Sequence, residues 1–166
     1  MKALLQKVND ASVAINGRVY SRIGRGLLVF LCVVRGDTVE DVNYLCKKIP
    51  VLRVFDDPSG RMNLSIKEIG GELLVVSQFT LAARLGKGKR LSFDNAESSG
   101  KAREMYKLFT NRLTGEGLPV STGIFGEYME ISLTNAGPVT ILVDSREKKP
   151  QQQNHKTQTG DLRSSG

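Results

Sequence analysis

Four consecutive uncharged aliphatic residues, at positions 73–76, form the strongest fold signal in the chain. A run of this kind predicts a strand that is buried on both faces, so the sheet that contains it must be covered by other elements. The chain turns polar at Ser77, and a glycine-spaced loop with four cations follows over residues 82–90. The sequence thus predicts a core strand that delivers polar groups beside a basic loop. An ordinary core strand that becomes polar as it reaches the surface is the alternative.

Two amphipathic helices are predicted on either side of this strand. The first is capped by Asp37 or Thr38 and runs to about residue 49, where the following proline limits it. The second is capped by Ser98 or Ser99 and ends near residue 115. Its apolar positions recur at helical spacing and predict one buried face, made by Ala102, Met105, Tyr106, Phe109 and Leu113.

The rest of the chain reads as strands joined by short turns. Asn16-Gly17 favours a type I′ hairpin turn, whose two central residues both need positive φ. A short strand is predicted for residues 51–55, and a turn at residues 135–138 is predicted to join strands at 128–134 and 139–143. Several connections are too short for parallel crossovers. We therefore expect an α+β fold, with a mostly antiparallel sheet or partly closed β-barrel and the helices on one side.

Composition limits the classes of function. The net charge is +7, of which residues 1–145 contribute +4 and residues 146–166 contribute +3. This basic charge suggests a nucleic-acid partner, and ordinary solvated surface charge is an equal alternative. No apolar run reaches the roughly 20 residues of a membrane span, and no signal-peptide core follows Met1, so a cytoplasmic protein is expected. We expect one domain over residues 1–145 and a disordered basic polar tail over residues 146–166.

Cysteine and histidine usage argues against several kinds of site. Cys32 and Cys46 lie in apolar contexts and read as buried thiols. The single histidine, His155, belongs to the polar tail, which argues against a Ser-His-Asp triad and against a histidine-ligated metal. No metal or cofactor is therefore expected.

Gly137-Pro138 is the second informative segment. Glycine tolerates any φ, and an X-Pro bond adopts the cis form at a cost of only about 0.5–1 kcal/mol. Such a pair can direct a main-chain carbonyl where an ordinary turn would not. A plain hairpin turn is the alternative.

The two segments together resemble the signature of D-aminoacyl-tRNA deacylases, the DTD family. Residues 77–81 read Ser-Gln-Phe-Thr-Leu, and residues 137–140 read Gly-Pro-Val-Thr. Shorter matches in order and spacing occur at residues 2–13, 52–56, 87–93 and 123–129, so the resemblance covers roughly residues 1–145. It implies a DTD-like fold and an esterase that releases D-amino acids, and glycine as a secondary substrate, from the 3′-terminal adenosine of tRNA.

The resemblance also implies a homodimer with its sites at the subunit interface. Gly137 and Pro138, joined by a cis peptide, would enter the partner's pocket and hold the substrate's α-amino group with main-chain carbonyls, which excludes an L side chain. Ser77, Gln78, Phe79 and Thr80 would form the catalytic wall, and Met129 would line the pocket.

Hydrolysis of an activated ester needs mainly positioning and stabilisation of the oxyanion, which backbone N–H groups around Phe79 and Thr80 could supply. Thr80 as a covalent nucleophile would need a nearby base. Water attack assisted by the terminal 2′-hydroxyl of the tRNA is the more economical route. Four cations, Arg84, Lys87, Lys89 and Arg90, would contact tRNA phosphates, with a solvated loop as the alternative.

Two positions depart from the family pattern. Ala136 stands where an acidic residue commonly precedes Gly-Pro, and Leu91 stands where proline is common. A related branch of the family, which acts on mischarged L-aminoacyl-tRNA, is an alternative. That branch has a trans Gly-Pro and lacks the Ser-Gln-Phe-Thr-Leu motif. A noncatalytic RNA-binding protein is a further alternative, although aromatic residues make up only 6% and tryptophan is absent.

Overall fold

A computed structural model describes residues 1–86 and 88–147. Over these residues, ten strands and two α-helices are connected by short loops and 3₁₀ turns. The strands are β1 Lys2–Ile15, β2 Arg18–Ile23, β3 Gly26–Cys32, β4 Phe55–Asp56, β5 Met62–Leu64, β6 Glu72–Ser77, β7 Arg84–Leu85, β8 Leu91–Ser92, β9 Val120–Thr122 and β10 Glu130–Asp144, and the helices are α1 Val39–Lys48 and α2 Ser99–Gly115. Lys87 lies outside the described residues, and so does the predicted tail from residue 148 onward, which includes His155.

The main sheet has six strands in the order β10-β1-β3-β6-β9, with β2 also paired to β1. The pairs that involve β1 are antiparallel, whereas β3-β6 and β6-β9 are parallel. Each parallel pair is joined by a long crossover that contains a helix, as parallel neighbours require. The α+β expectation is confirmed, with a sheet that is more mixed than the short connections indicated.

A hydrogen bond between the sheet's far strands nearly closes it into a barrel. The Ser21 hydroxyl of β2 donates to the Thr122 carbonyl of β9 at 2.8 Å. Strand β6 runs through the middle, with exposed fractions of 0–1% for the four residues 73–76. Leu73 packs into the core beneath the helices, and Leu74 packs into the barrel interior. The prediction of a strand buried on both faces is therefore confirmed.

Local signals placed most element ends correctly. Asn16 and Gly17 have φ angles of 51° and 72°, as the type I′ turn between β1 and β2 requires. Thr38 caps α1 in a capping box with Asp41, and Ser98 occupies the N-cap position of α2 without a side-chain capping hydrogen bond. The predicted buried face of α2 is confirmed, with only Ala102 partly exposed. Both cysteines are free and buried, as predicted.

The strand predicted for residues 51–55 is wrong. The chain continues from α1 into a 3₁₀ turn over Ile49–Val51, and the next strand begins only at Phe55. Pro50 lies in the first turn of this 3₁₀ segment, where its missing N–H costs no hydrogen bond. Proline therefore redirected the chain without ending its helical conformation.

The predicted hairpin turn at residues 135–138 is also wrong. Strand β10 passes through this segment without reversing, and both of its halves pair with β1. Gln6 pairs with Thr140 and Val8 with Asn135, so residues 136–139 bulge out opposite Lys7. The Gly137-Pro138 peptide bond within this bulge is cis. The strands on both sides are therefore one element, and Gly-Pro is an insertion within it.

Near the carboxyl end of the described chain, Ser145–Glu147 form a 3₁₀ turn, and Arg146 donates to the Arg35 carbonyl at 2.6 Å. Within residues 1–86 and 88–147, neither helix combines the length and apolar character that crossing a membrane needs.

Candidate active site

A cleft of about 480 Å³ opens at the carboxyl end of β6. One wall is the end of β6 and the residues that follow it, Ser77, Gln78 and Phe79. The opposite wall is made by the first turns of α2 and by the loop at residues 125–129. The side chains contributed by this second wall include Ser99, Ala102, Tyr106, Phe125, Tyr128 and Met129. Ser77, Gln78, Phe79 and Met129, predicted separately from the sequence, thus line one cavity.

The first wall results from the way β6 ends. The Gln78 N–H still donates to the Leu31 carbonyl of β3 at 2.8 Å, and the chain then turns into a 3₁₀ segment, Phe79–Ala82. The first N–H groups of such a turn, those of Phe79 and Thr80, have no carbonyl inside the turn to bond. The Phe79 ring is 59% exposed and meets the Phe93 ring edge-on, 5.1 Å between centroids. The turn therefore begins with two N–H groups that have no partner inside it, and Phe79 lines the cleft.

Thr80 follows Phe79 in the chain, is exposed and is not among the described residues that line the cleft. Its hydroxyl oxygen accepts a hydrogen bond from the Gln78 side-chain amide. An amide group is not a base, so this contact orients the hydroxyl without activating it.

Tyr106 connects the two walls. Its hydroxyl donates to the Val75 carbonyl of β6 at 2.7 Å, and its ring packs on Phe125 with 5.8 Å between centroids. Burial raises the pKa of the Tyr106 hydroxyl well above its usual value, so the group stays a neutral donor. Tyr106 thus fixes the spacing between β6 and the loop that carries Met129.

Glu97 is a cleft residue that sequence reasoning missed. Its carboxylate accepts from the Lys101 ammonium at 2.9 Å and from the Ser98 N–H at 2.8 Å. The Lys101 hydrogen bond, followed by the Ser98 backbone bond, lowers the Glu97 pKa to about 2. The carboxylate is ionised throughout the physiological range. The i, i+4 spacing of Glu97 and Lys101 was the signal that could have identified the pair.

Gly137 and Pro138 do not lie in this cleft. They are exposed and border a separate depression of about 580 Å³, together with Lys7, Asp56 and Met62. The two cavities share no lining residue. In the sheet, Ser77 is level with Ala3 of β1, whereas Gly137 lies beside Lys7, and strands β1 and β3 separate the two segments. The two signature segments are therefore not brought together within one chain.

Lys7 is a second residue that the sequence analysis did not single out. Its side chain is only 7% exposed, and its ammonium is 2.9 Å from the Asp56 carboxylate. The register places it opposite the Gly-Pro bulge. Because Lys7 lies in a strand with apolar neighbours, the sequence did not indicate that it forms an ion pair opposite the Gly-Pro bulge.

The basic segment forms a short hairpin of β7 and β8, with Leu85 paired to Leu91. Arg84, Lys89 and Arg90 are all exposed. The Asn95 amide, oriented with its oxygen toward the guanidinium of Arg84, accepts hydrogen bonds from it. Arg84 is therefore held by the protein, whereas Lys89 and Arg90 extend from the tip of the hairpin. Lys87 lies outside the described residues.

Comparison with known proteins agrees with this architecture. Residues 4–144 match the family model described as D-Tyr-tRNA(Tyr) deacylase. The D-aminoacyl-tRNA deacylase of Persephonella marina is 51% identical over 88% of this chain and 99% of its own. A solved structure described as c-Myc DNA Unwinding Element Binding Protein superposes with a TM-score of 0.81 at 38% identity, over 87% of this chain and 98% of its own.

A second solved structure, described as a probable eukaryotic D-amino acid tRNA deacylase, has a TM-score of 0.74 at 18% identity, over 86% of this chain and 97% of its own, and supports the fold alone. The family match and the Persephonella marina relative each extend over most of the described chain. Both signature segments are inside the matched region. This chain belongs to the D-aminoacyl-tRNA deacylase family.

Proposed function

We propose that this chain hydrolyses the ester between a D-amino acid and the 3′-terminal adenosine of tRNA, with glycyl-tRNA as a secondary substrate. The observation that carries the proposal is the cleft at the end of β6, lined by Ser77, Gln78 and Phe79 in a chain that belongs to this family. Its relatives carry the name D-aminoacyl-tRNA deacylase. The reaction would remove D-amino acids from tRNA in the cytoplasm, before translation uses them.

The proposed chemistry relies on the backbone at the start of the 3₁₀ turn. An aminoacyl ester is already activated, and hydrolysis builds negative charge on the carbonyl oxygen. The N–H groups of Phe79 and Thr80 would stabilise that charge, and water assisted by the terminal 2′-hydroxyl would attack. Gln78, an amide, is the hydrogen-bond partner of the Thr80 hydroxyl. This contact supports the water route over a covalent threonine, because within the described part of the chain the hydrogen-bond partner of the Thr80 hydroxyl is an amide and not a base.

The proposed active unit is a homodimer in which Gly137 and Pro138 of one subunit reach the cleft of the other. Within one chain these residues and the cleft are separated, which leaves the cleft without the carbonyls that would hold the α-amino group. Strand β10 pairs with β1 and, among the described strands, with no other. Its apolar residues are incompletely covered, with Ile131 and Ile141 half-buried and Leu142 54% exposed. An uncovered 15-residue edge strand is a natural surface for a second subunit.

The tRNA body would be held by Lys89 and Arg90 of the β7–β8 hairpin and by Lys87, with Arg84 shaping the base of the hairpin through Asn95. Because exposed cations would contact the phosphates, the affinity of the protein for tRNA should weaken as the salt concentration increases.

The deciding experiment mixes the purified protein with D-Tyr-tRNA and with L-Tyr-tRNA and follows release of tyrosine. Release from the D-ester alone is the expected result. Release from the L-ester would favour the related branch that acts on mischarged L-aminoacyl-tRNA. Cleavage of neither ester, with tRNA still bound, would overturn the proposal in favour of a noncatalytic RNA-binding protein.

A mixing experiment tests the shared site. Chains carrying Phe79→Pro and chains carrying Gly137→Ala would each be inactive alone. In a mixed dimer, one of the two sites would combine an intact 77–80 segment with an intact Gly-Pro segment. Dissociating and reassociating equal amounts should therefore restore about a quarter of the wild-type activity. If both segments served the cleft of their own chain, no activity would return.

A further inference from the structure

The face of α2 that borders the cleft carries a cation, Arg103, in addition to the groups of the β6 wall. Ser99, Ala102 and Tyr106 of α2 all line the cleft. Arg103 lies on the same face, since positions i, i+3, i+4 and i+7 of a helix form one stripe. Its side chain is therefore directed toward the rim of the cleft rather than to the far side of the helix.

Two contacts hold the Arg103 guanidinium at that rim. Its central carbon lies 5.2 Å from the centroid of the Phe125 ring, which itself lines the cleft. A guanidinium nitrogen comes within 3.7 Å of the position that a Cβ at Gly126 would occupy. An arginine stacked on an aromatic ring loses less conformational entropy when it binds an anion, because part of its ordering has already been achieved.

The charge of Arg103 is available to a ligand. Among residues 1–86 and 88–147, no carboxylate lies within ion-pair distance of Arg103. Its neighbour Lys101 differs, because its ammonium is paired with Glu97 at 2.9 Å. Glu97 and Glu127 place two carboxylates around the cleft. A polyanionic substrate therefore needs a cation at this rim, and Arg103 is placed to supply it.

We propose that Arg103 binds the phosphodiester on the 5′ side of the terminal adenosine. The inference rests on the proposed function, in which the ester lies against Phe79 and Thr80 on the β6 wall. The terminal nucleoside then occupies the cleft between that wall and α2, and its 5′ phosphate emerges at the α2 rim. A guanidinium matches a phosphate with two parallel hydrogen bonds, which a lysine at this position would not reproduce.

The test compares three D-tyrosyl esters: D-Tyr-tRNA, the 2′(3′)-ester of adenosine 5′-phosphate, and the same ester of adenosine without phosphate. Arg103→Gln should raise KM about tenfold for the two esters that carry a 5′ phosphate. It should leave KM for the adenosine ester unchanged, and kcat should be unchanged for all three. The negative slope of log affinity for tRNA against log salt should become shallower by about 0.7–1.

Lys107→Gln is the matched control, since it removes one exposed charge one turn further along the same helix. It should affect the three esters far less than Arg103→Gln does. If Arg103→Gln raises KM for the adenosine ester as much as for the phosphorylated ester, Arg103 acts by supporting Phe125, and the proposal is overturned. If the wild-type protein cleaves none of the three esters, the proposed function itself fails, which is a distinct outcome.

Discussion

Lys7 and Gly137 face each other across the pairing of β1 with β10: the Lys7 Cε atom lies 3.6 Å from the position that a Cβ at Gly137 would occupy. Gly137 has a φ of +125°, and its added Cβ would also lie 2.8 Å from Val139 Cγ2. Both the backbone conformation and the available space therefore require glycine at the point where the bulge leaves the sheet.

Gly137→Ala should abolish D-ester hydrolysis and lower the free energy of unfolding by about 1–3 kcal/mol, because an L side chain is strained there and crowds Val139. Gly117→Ala is the control: its φ is +81°, but no atom lies within 4 Å of the added Cβ. That variant should lose stability and keep its activity. Urea unfolding and D-Tyr-tRNA hydrolysis measure both. Full activity in Gly137→Ala would contradict the assigned role of the bulge.

Phe79→Pro should lower kcat about 10²–10³-fold, because proline has no N–H to stabilise the oxyanion. Position 79 is the first residue of the 3₁₀ turn, and Gln78 before it has φ −144° and ψ 79°, outside the α region that proline disfavours. The proline should therefore be accommodated. Phe79→Ala removes the same ring and keeps the N–H. Single-turnover rates that fall equally in the two variants would show that the ring, and not the N–H, supports the reaction.

Glu97 should make stability dependent on pH at the acid end. Its folded-state pKa of about 2 is below the ordinary value of 4.5, because Lys101 and the Ser98 N–H stabilise the carboxylate. The unfolded chain therefore binds the proton more readily, so this contribution is fully present above about pH 4.5 and is lost as the pH falls toward 2. Glu97→Gln should flatten the dependence of unfolding free energy on pH within that window. Identical slopes for the variant and the wild type would contradict the assignment.

Leu74→Ala should lower the free energy of unfolding by about 2–5 kcal/mol, because Leu74 is fully buried in the barrel interior and its removal leaves a cavity. Leu85→Ala makes the same chemical change in the β7–β8 hairpin, where the side chain is 85% exposed. It should change stability by no more than about 0.5 kcal/mol. In denaturant titrations, the loss of unfolding free energy should therefore be several-fold larger for Leu74→Ala than for Leu85→Ala.

The elements whose signals are local could be predicted from the sequence. The uncharged run at residues 73–76 required burial on both faces, Asn16-Gly17 required a turn with positive φ, and Thr38 offered its side chain to the N-terminus of α1. The family resemblance was also contained in two short segments, and the matched region includes both. The turn and the helix cap are determined by interactions within a few residues of the signal, and the burial of residues 73–76 is indicated by the apolar character of the run itself.

The tertiary structure decided what depends on partners distant in the chain. Gly137-Pro138 has the composition of a turn, but both flanks pair with β1, and this long-range pairing makes it a bulge within β10. Helical spacing placed Tyr106 on the buried face of α2, and Glu97 stands four residues before Lys101, but the roles of Glu97, Tyr106 and Arg103 at the cleft depend on what α2 packs against. The separation of the Gly-Pro segment from the cleft likewise follows from strand order. In this strand order, apolar residues of β6 and α2 are buried in one core, which is a property of the whole fold that no short segment records.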